Sequence, residues 1–367
     1  MKKKVILFIF LLLVTVIPPV SAKEVEVSAQ SAIVMCANNG EVLYAKNERQ
    51  QRSMASTTKI MTALLTLEAA QADNREVTIT QQMVAVEGSS MGLQVGDVVT
   101  LDALAKGMLL RSGNDAANSA AIALAGSQEA FAEMMNAKAE QIGMKDTHFV
   151  TPSGLDDEQH YTTAYDMALL GVYAMEMPAF QEIASQRSMK VEYVKPEQTV
   201  VMGNHNRLLS MYQGCIGVKT GFTKKSGRCL VSCAERDGVR LVAVTLNAPD
   251  DWNDHKRMLD YGFSQVQSKT LNAADTVVEV PVVGSTVESV TVSGFGAYQV
   301  VVPSSEEEPQ VTAQIEMQPF LYAPLEQGQL VGQITYLSNG KEIATAPLTV
   351  GQKVDAVLPQ KNWFNRL

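Results

Sequence analysis

The hydrophobic period of this chain changes along its length, and each change rules out one uniform fold. Across residues 55–70 the apolar side chains Ile60, Met61, Leu64, Leu65 and Leu67 recur at helical spacing, residues 101–110 and 114–125 do likewise, and 127–142 is rich in helix formers. Further on the period shortens to two. Residues 217–223, 228–234 and 239–247 read as strands joined by Lys224-Lys225-Ser226-Gly227 and Glu235-Arg236-Asp237-Gly238, which predicts a three-strand antiparallel meander. Residues 255–263 read as a closing helix with Met258, Leu259 and Phe263 on one side. Beyond about residue 271 the chain turns to short Val-rich runs at 276–282, 287–293, 298–302 and 311–317, with an Asn339-Gly340 turn between two strands. The stretch 271–360 holds ten acids, two lysines and no histidine. It is expected to be an all-β domain, a small sandwich.

The N-terminus bounds where the protein works. Met1-Lys2-Lys3-Lys4 precedes 13 mostly apolar residues, 5–17, closed by Pro18-Pro19-Val20-Ser21-Ala22. Thirteen residues are too few to span a bilayer, and Val20 and Ala22 suit cleavage before Lys23, so 1–22 reads as an export signal. No cysteine follows the apolar run directly, which argues against a lipid-modified mature end. Losing that segment removes three lysines and no acid, leaving 27 cations against 39 acids, a charge of about -12. An acidic exported product argues against nucleic acid as a partner. The expected organisation is 1–22 signal, 23–270 catalytic domain, 271–360 β domain and 361–367 tail. The tail, with Lys361, Trp363, Phe364 and Arg366, is a short candidate for peripheral membrane contact.

Four cysteines, Cys36, Cys215, Cys229 and Cys233, are too few to define a disulfide framework in 367 residues. Cys229 and Cys233 lie four apart on one predicted strand, about 13 Å at 3.3 Å per residue, and cannot bond to each other. Buried free thiols are expected. The histidines His148, His160, His205 and His255 are scattered, with no zinc spacing, and structural roles are expected for all of them.

Three short motifs carry the chemistry: Ser56-Thr57-Thr58-Lys59 at a helix start, Ser112-Gly113-Asn114 at a helix entry, and Lys219-Thr220-Gly221 in the first meander strand. Each alone is weak; in this order in an exported chain they are strong. The first sets a hydroxyl and an amine three residues apart on one helical face. A lysine whose pKa is lowered by burial or a neighbouring cation can deprotonate that serine, and the helix N-terminus favours a developing oxyanion. Ser112 can pass a proton to a leaving amine, and the Asn114 amide can hold a substrate carbonyl. Lys219 can bind a carboxylate or depress the pKa of Lys59, Thr220 adds a hydroxyl, and Gly221 admits a substrate backbone to an edge strand. Alternation sends Lys219 and Thr220 to opposite faces, so both serve one site only if one reaches around the strand edge or the strand is irregular.

With these motifs, the context of residues 55–62, Thr147-His148-Phe149 and Tyr165-Asp166-Met167-Ala168, the chain resembles the serine-type D-alanyl-D-alanine carboxypeptidases of the low-molecular-weight penicillin-binding protein family, over about residues 30–270. The resemblance implies an α/β (α+β) β-lactamase/transpeptidase-like catalytic domain, with a helical subdomain against a mainly antiparallel sheet, and the all-β tail fits the family's two-domain plan. It implies removal of the terminal D-alanine from peptidoglycan stem pentapeptides, acylation by β-lactam antibiotics, and no cofactor or metal. Ser56 is then the nucleophile, Lys59 its base, and Ser112 with Asn114 the proton relay and substrate holder. Lys219 and Thr220 bind the terminal carboxylate beside Gly221, and the backbone N–H groups of Ser56 and Phe222 form the oxyanion hole. Two features depart from the family. Some members place a carboxylate-binding arginine after the meander, where this chain has Asp250-Asp251-Trp252-Asn253-Asp254 and its nearest arginine is Arg257. The amphipathic C-terminal anchor of many relatives is missing or very short.

Competing readings are weaker. A class A β-lactamase needs a deacylating base, usually a glutamate four residues before an asparagine, and no such pair occurs between Ser112 and Lys219. Gly88-Ser89-Ser90-Met91-Gly92 matches a nucleophile elbow but lacks the strand-turn-helix context. A catalytically silent penicillin-binding scaffold is opposed by the presence of every polar group the chemistry needs.

Overall fold

The computed structural model of the protein describes residues 25–304 and 311–357. The expected signal (1–22) and tail (361–367) lie outside the described residues.

β1 (Ser31–Cys36), buried at every position, and β2 (Val42–Lys46) pair antiparallel. A 3-10 turn, Ala55–Thr58, runs into α1 (Lys59–Ala72), which is buried continuously from Lys59 to Leu67. The polar members of that stretch, Lys59, Thr62 and Thr66, donate to the carbonyls of Ser153, Pro152 and Thr62. Around it are β3 (Glu76–Thr78), α2 (Gln81–Val84), β4 (Val98–Thr100) pairing with β3, α3 (Leu101–Arg111), α4 (Asn114–Ala125) and α5 (Gln128–Ile142). Then come α6 (Ala164–Glu176), α7 (Pro178–Ala184), the hairpin β5 (Ser188–Tyr193) and β6 (Gln198–Gly203), and α8 (Leu208–Met211). Side-chain caps set the helix starts, where backbone N–H groups would otherwise lack acceptors. Thr100 Oγ1 accepts from Ala103 N at 3.2 Å, Ser127 Oγ from Ala130 N at 3.1 Å and Thr163 Oγ1 from Asp166 N at 3.1 Å.

The expected meander is present as β7 (Cys215–Thr223), β8 (Gly227–Arg236) and β9 (Val239–Leu246). Asp237 and Gly238, both at positive φ (49° and 81°), form the left-handed turn that joins β8 to β9. β9 also pairs with β1, giving one five-stranded sheet in the order β2-β1-β9-β8-β7. This leaves β7 at an edge. One face of the sheet, with Ile33, Val231 and Val242, packs on the helical cluster, chiefly through α6, which carries Met167. The other, with Val34, Leu230 and Ala243, packs on Met258 and Leu259 of α9 (Asp251–Gln265). Two edge-side strands, β1 and β2, add to the predicted three; an unbroken apolar run such as β1 has no period to read.

After α9 the described elements are strands apart from a 3-10 turn at Ala273–Asp275. They are β10 (Val266–Asn272), β11 (Val277–Val283), β12 (Ser289–Gly294), β13 (Ala297–Pro303), β14 (Val311–Met317), β15 (Leu321–Tyr322), β16 (Leu330–Ser338) and β17 (Lys341–Val350). β10 pairs with β13 and crosses the boundary expected at 270/271. The remaining strands form a six-stranded sheet, β14-β16-β17-β12-β11-β15. Val280, Val292, Ile334 and Leu348 fill its core, with Leu271 and Tyr298 of the β10–β13 pair packed against them. The expected β module with two layers is therefore present, and Asn339 and Gly340, both at positive φ, turn β16 into β17. Among the described residues no helix is long and apolar enough to cross a membrane.

Candidate active site

Ser56 lies in the 3-10 turn that opens α1, wedged between two glycines. A Cβ on Gly154 would stand 2.0 Å from the Ala55 carbonyl oxygen and 2.7 Å from Thr58 Oγ1. A Cβ on Gly221 would stand 3.0 Å from the backbone nitrogens of Ser56 and of Thr57. Both positions need the close backbone approach that glycine permits. Ala55 itself takes a left-handed backbone (φ 49°), a strained conformation for a residue with a Cβ. Thr57 and Thr58 tie the turn by donating to the carbonyls of Met54 (2.6 Å) and Ala55 (2.8 Å).

One turn on, the Lys59 ammonium position is fully buried. Its Nζ lies 3.1 Å from Ser56 Oγ, 2.6 Å from Asn114 Oδ1 and 2.6 Å from the Ser153 carbonyl oxygen. Burial first, and then the charge of Lys219, push its pKa well below the usual lysine range, while Asp115 pulls the other way. Ser112 caps the C-terminus of α3 in a left-handed conformation (φ 59°) and accepts from Lys219 Nζ at 3.0 Å. Lys219 also donates to the Thr220 carbonyl at 2.9 Å, and burial lowers its pKa to about 7.

A cleft of about 400 Å³ opens over these groups, lined by Ser56 and Ser112 on the helical side and by Thr220, Gly221 and Phe222 of β7. The strand-alternation difficulty is resolved by β7 being an edge. Lys219, opposite Val231, faces the helical cluster, whereas Thr220, opposite Leu230, emerges on the α9 face and still borders the cleft. Asn114 sits beside Lys59, behind the cleft surface. It is buried and not among the lining residues; Oδ1 accepts from Lys59 and Nδ2 donates to the Glu87 carbonyl at 2.6 Å, so both ends of the amide are engaged inside the protein.

A family model described as D-alanyl-D-alanine carboxypeptidase matches residues 18–250. The chain belongs to this D-alanyl-D-alanine carboxypeptidase family. A second model, penicillin-binding protein 5, C-terminal domain, matches residues 267–356. The D-alanyl-D-alanine carboxypeptidase DacF of Bacillus subtilis is 32% identical over 93% of this chain and 92% of its own length, and DacC of Escherichia coli is 35% identical over 90% and 85%. Penicillin-binding protein 5 of Haemophilus influenzae superposes with a TM-score of 0.69 at 30% identity, covering 90% of this chain and 98% of that one. The resemblance read from the three motifs is thus borne out, as are the fold class and the activity class, a serine-type carboxypeptidase that binds penicillin.

Several residues of this carboxypeptidase's cleft escaped the motif reading: Ser89, His205, Arg207, Arg228, Asp251 and Trp252. His205 thus stands apart from the other histidines; burial, Lys219 and Arg111 lower its pKa. The elbow-like segment holding Ser89 is a loop strapped to α4: Asp115 accepts from Ser90 Oγ and from the backbone of Met91, Gly92 and Leu93. His160 and His255 are buried and structural. His160 Nδ1 accepts from Val150 N at 3.0 Å, so the proton sits on Nε2, 2.8 Å from Thr58 Oγ1. His255 bridges Ser232 Oγ (2.6 Å) and Thr245 Oγ1 (3.0 Å). All four cysteines are free. Arg257 turns away from the cleft, donating to the Glu26 carbonyl (3.0 Å) and pairing with Asp254.

Proposed function

We propose that the mature protein, exported and cleaved before Lys23, removes the terminal D-alanine from peptidoglycan stem pentapeptides on the outer side of the cytoplasmic membrane, through an acyl-enzyme on Ser56. The observation that carries this is the buried Lys59 amine, placed between Ser56 Oγ and two fixed acceptors. Lys59 takes the Ser56 proton as Oγ adds to the penultimate carbonyl carbon. The oxyanion is held by the backbone N–H groups of Ser56 and Phe222. Ser112, in contact with Lys219, returns a proton to the departing D-alanine amine, the C–N bond breaks, and water then hydrolyses the Ser56 ester. Thr220 and Gly221 seat the substrate's C-terminal end, and the β module acts as a spacer or docking unit, with the tail 361–367 as a peripheral membrane contact.

β-Lactams enter the same path and stop at the ester. Among the described residues the cleft is lined by a single carboxylate, Asp251, which is occupied by Arg228, so a deacylating base of the β-lactamase kind has no counterpart in the lining. The test is intact mass over time with benzylpenicillin, followed by adduct mapping and assay of D-alanine release. A lasting penicilloyl group on the Ser56 peptide, absent in Ser56→Ala together with D-alanine release, supports the proposal. Antibiotic consumed without an adduct indicates a β-lactamase, and neither adduct nor release indicates a silent scaffold; each overturns it.

A further inference from the structure

Arg228 belongs to none of the three motifs, yet it faces the cleft. It lies near the start of β8 opposite Phe222, while Leu230 lies opposite Thr220. Alternation therefore puts Arg228, Phe222 and Thr220 on one face of the sheet edge. With strands about 4.8 Å apart and a rise of about 3.3 Å per residue, the Cα atoms of Thr220 and Arg228 stand roughly 8 Å apart. An arginine side chain bridges that gap.

The guanidinium is braced. Its Nε and Nη2 both lie 2.9 Å from Asp251 Oδ1, and its carbon lies 5.5 Å from the centre of the Trp252 ring. Asp251 is almost fully buried, whereas the Arg228 side chain is 41% exposed. Asp251 thus holds one edge of the fork, and among the described residues the Nη1 donors make no hydrogen bond. Lys219, the other cation at the strand edge, is committed to Ser112 Oγ and the Thr220 carbonyl and is buried. Arg257 is turned to Glu26 and Asp254. His205 also borders the cleft, but burial first, and then the charges of Lys219 and Arg111, disfavour its charged form.

We infer that Arg228, held by Asp251 and Trp252, is the cation that recognises the substrate's terminal carboxylate, gripping it together with Thr220. Arginine suits this because its planar donors match a carboxylate in a way a point-charge ammonium does not. The inference rests on the carboxypeptidase reading and narrows it to which residue selects a free C-terminus.

The experiment compares a peptide ending in D-Ala-D-Ala with the same peptide as its C-terminal amide, and benzylpenicillin with its methyl ester. kcat/KM and the penicilloylation rate are measured for wild type, Arg228→Gln, Arg228→Lys, Asp251→Asn and Arg207→Gln. Arg228→Gln should lose about 100-fold on the free acids and less than 3-fold on the amide and ester, since a charged hydrogen bond contributes about 1.5–3 kcal/mol. Arg228→Lys should recover part of the loss. Arg207→Gln should not separate the two classes. The penicillin pair supplies the ratio even where the amide peptide is not turned over, and Asp251→Asn, with a smaller loss on the acids alone, supplies it if Arg228→Gln does not fold. Equal losses on acid and neutral partner, no loss on the acids, or a selective loss in Arg207→Gln instead would overturn the assignment. Failure of the carboxypeptidase reading looks different, as D-alanine release surviving in Ser56→Ala.

Discussion

Lys59 Nζ stands 3.1 Å from Ser56 Oγ and 2.6 Å from each of Asn114 Oδ1 and the Ser153 carbonyl oxygen. A neutral amine has two N–H donors and one lone pair. Here two of its neighbours are oxygens that only accept, the amide orientation of Asn114 being set by Nδ2 donating to the Glu87 carbonyl, and the third is a hydroxyl able to donate. All three oxygens would also accept from an ammonium, whereas a neutral lysine, the base we propose, keeps its lone pair for the Ser56 hydroxyl proton. A charged lysine would spend its third donor on Ser56 Oγ and leave no base. Depression of the Lys59 pKa by burial and by Lys219 favours the same form.

From this geometry Asn114 and Lys59 should act as one unit. Asn114→Ala removes the acceptor that aims the amine and is expected to slow penicilloylation roughly 10- to 100-fold, and Lys59→Ala by several orders of magnitude. The double variant should be no slower than Lys59→Ala alone. Rapid-quench mass spectrometry of the four proteins measures this; additive losses would mean that Asn114 works through the substrate instead.

The pH profile follows from the same pair. Acylation needs neutral Lys59, so the rate should rise with pH through its pKa and level off, with a midpoint well below the ordinary lysine range. Asp115 raises that pKa, so Asp115→Asn should move the midpoint to lower pH. A midpoint near that of a free lysine, or an alkaline shift in Asp115→Asn, would contradict the assignment of Lys59 as base.

How much of this was legible beforehand depended on whether the signal was local. Ser56 and Lys59 share one helical turn, and Ser112 sits at a helix junction, so short spacing carries the information. Helices α1, α3, α4 and α5 and the meander were readable from their apolar spacing and helix-forming residues, whereas the four-residue α2 was not. β1 was not, since a strand buried throughout shows no alternation. Arg228 and Asp251 were invisible as a pair. They lie 23 residues apart, and only the hairpin that returns β9 beside β8 brings the start of α9 to Arg228. Asn114 was named from its motif, but its contact with the Glu87 backbone carbonyl was not, because no side-chain pattern announces it.

Gly154 gives a test of how the nucleophile is aimed. Its φ of 82° and the 2.0 Å approach of a virtual Cβ to the Ala55 oxygen mean that alanine must push back the turn carrying Ser56. Gly154→Ala is expected to destabilise the protein by at least about 2 kcal/mol and to reduce penicilloylation more than 10-fold even in the folded fraction. Thermal unfolding read beside active-site titration separates the two effects; a variant with wild-type acylation would show that the turn position is not critical.

His160 links stability to pH. Burial lowers its pKa to about 4, from 6.5 in an unfolded chain, because Nδ1 must stay unprotonated to accept from Val150 N while Nε2–H meets Thr58 Oγ1. Between pH 6.5 and about 4 the unfolded chain takes up a proton at this position and the folded chain does not, so stability falls as pH falls across that window. The loss from His160 amounts to roughly 3 kcal/mol at most, by the equivalence of one pKa unit to about 1.4 kcal/mol. His255, fully buried between Ser232 and Thr245, titrates even lower, at about 3, and adds a second loss of the same sign. Replacing His160 with Gln should lower stability at pH 7 by removing the bridge from the Val150 amide to Thr58, yet flatten the acid limb of a plot of unfolding free energy against pH. Urea unfolding of both proteins from pH 7 to pH 4 measures it, and an acid limb of unchanged steepness in the variant would assign the proton uptake to other groups.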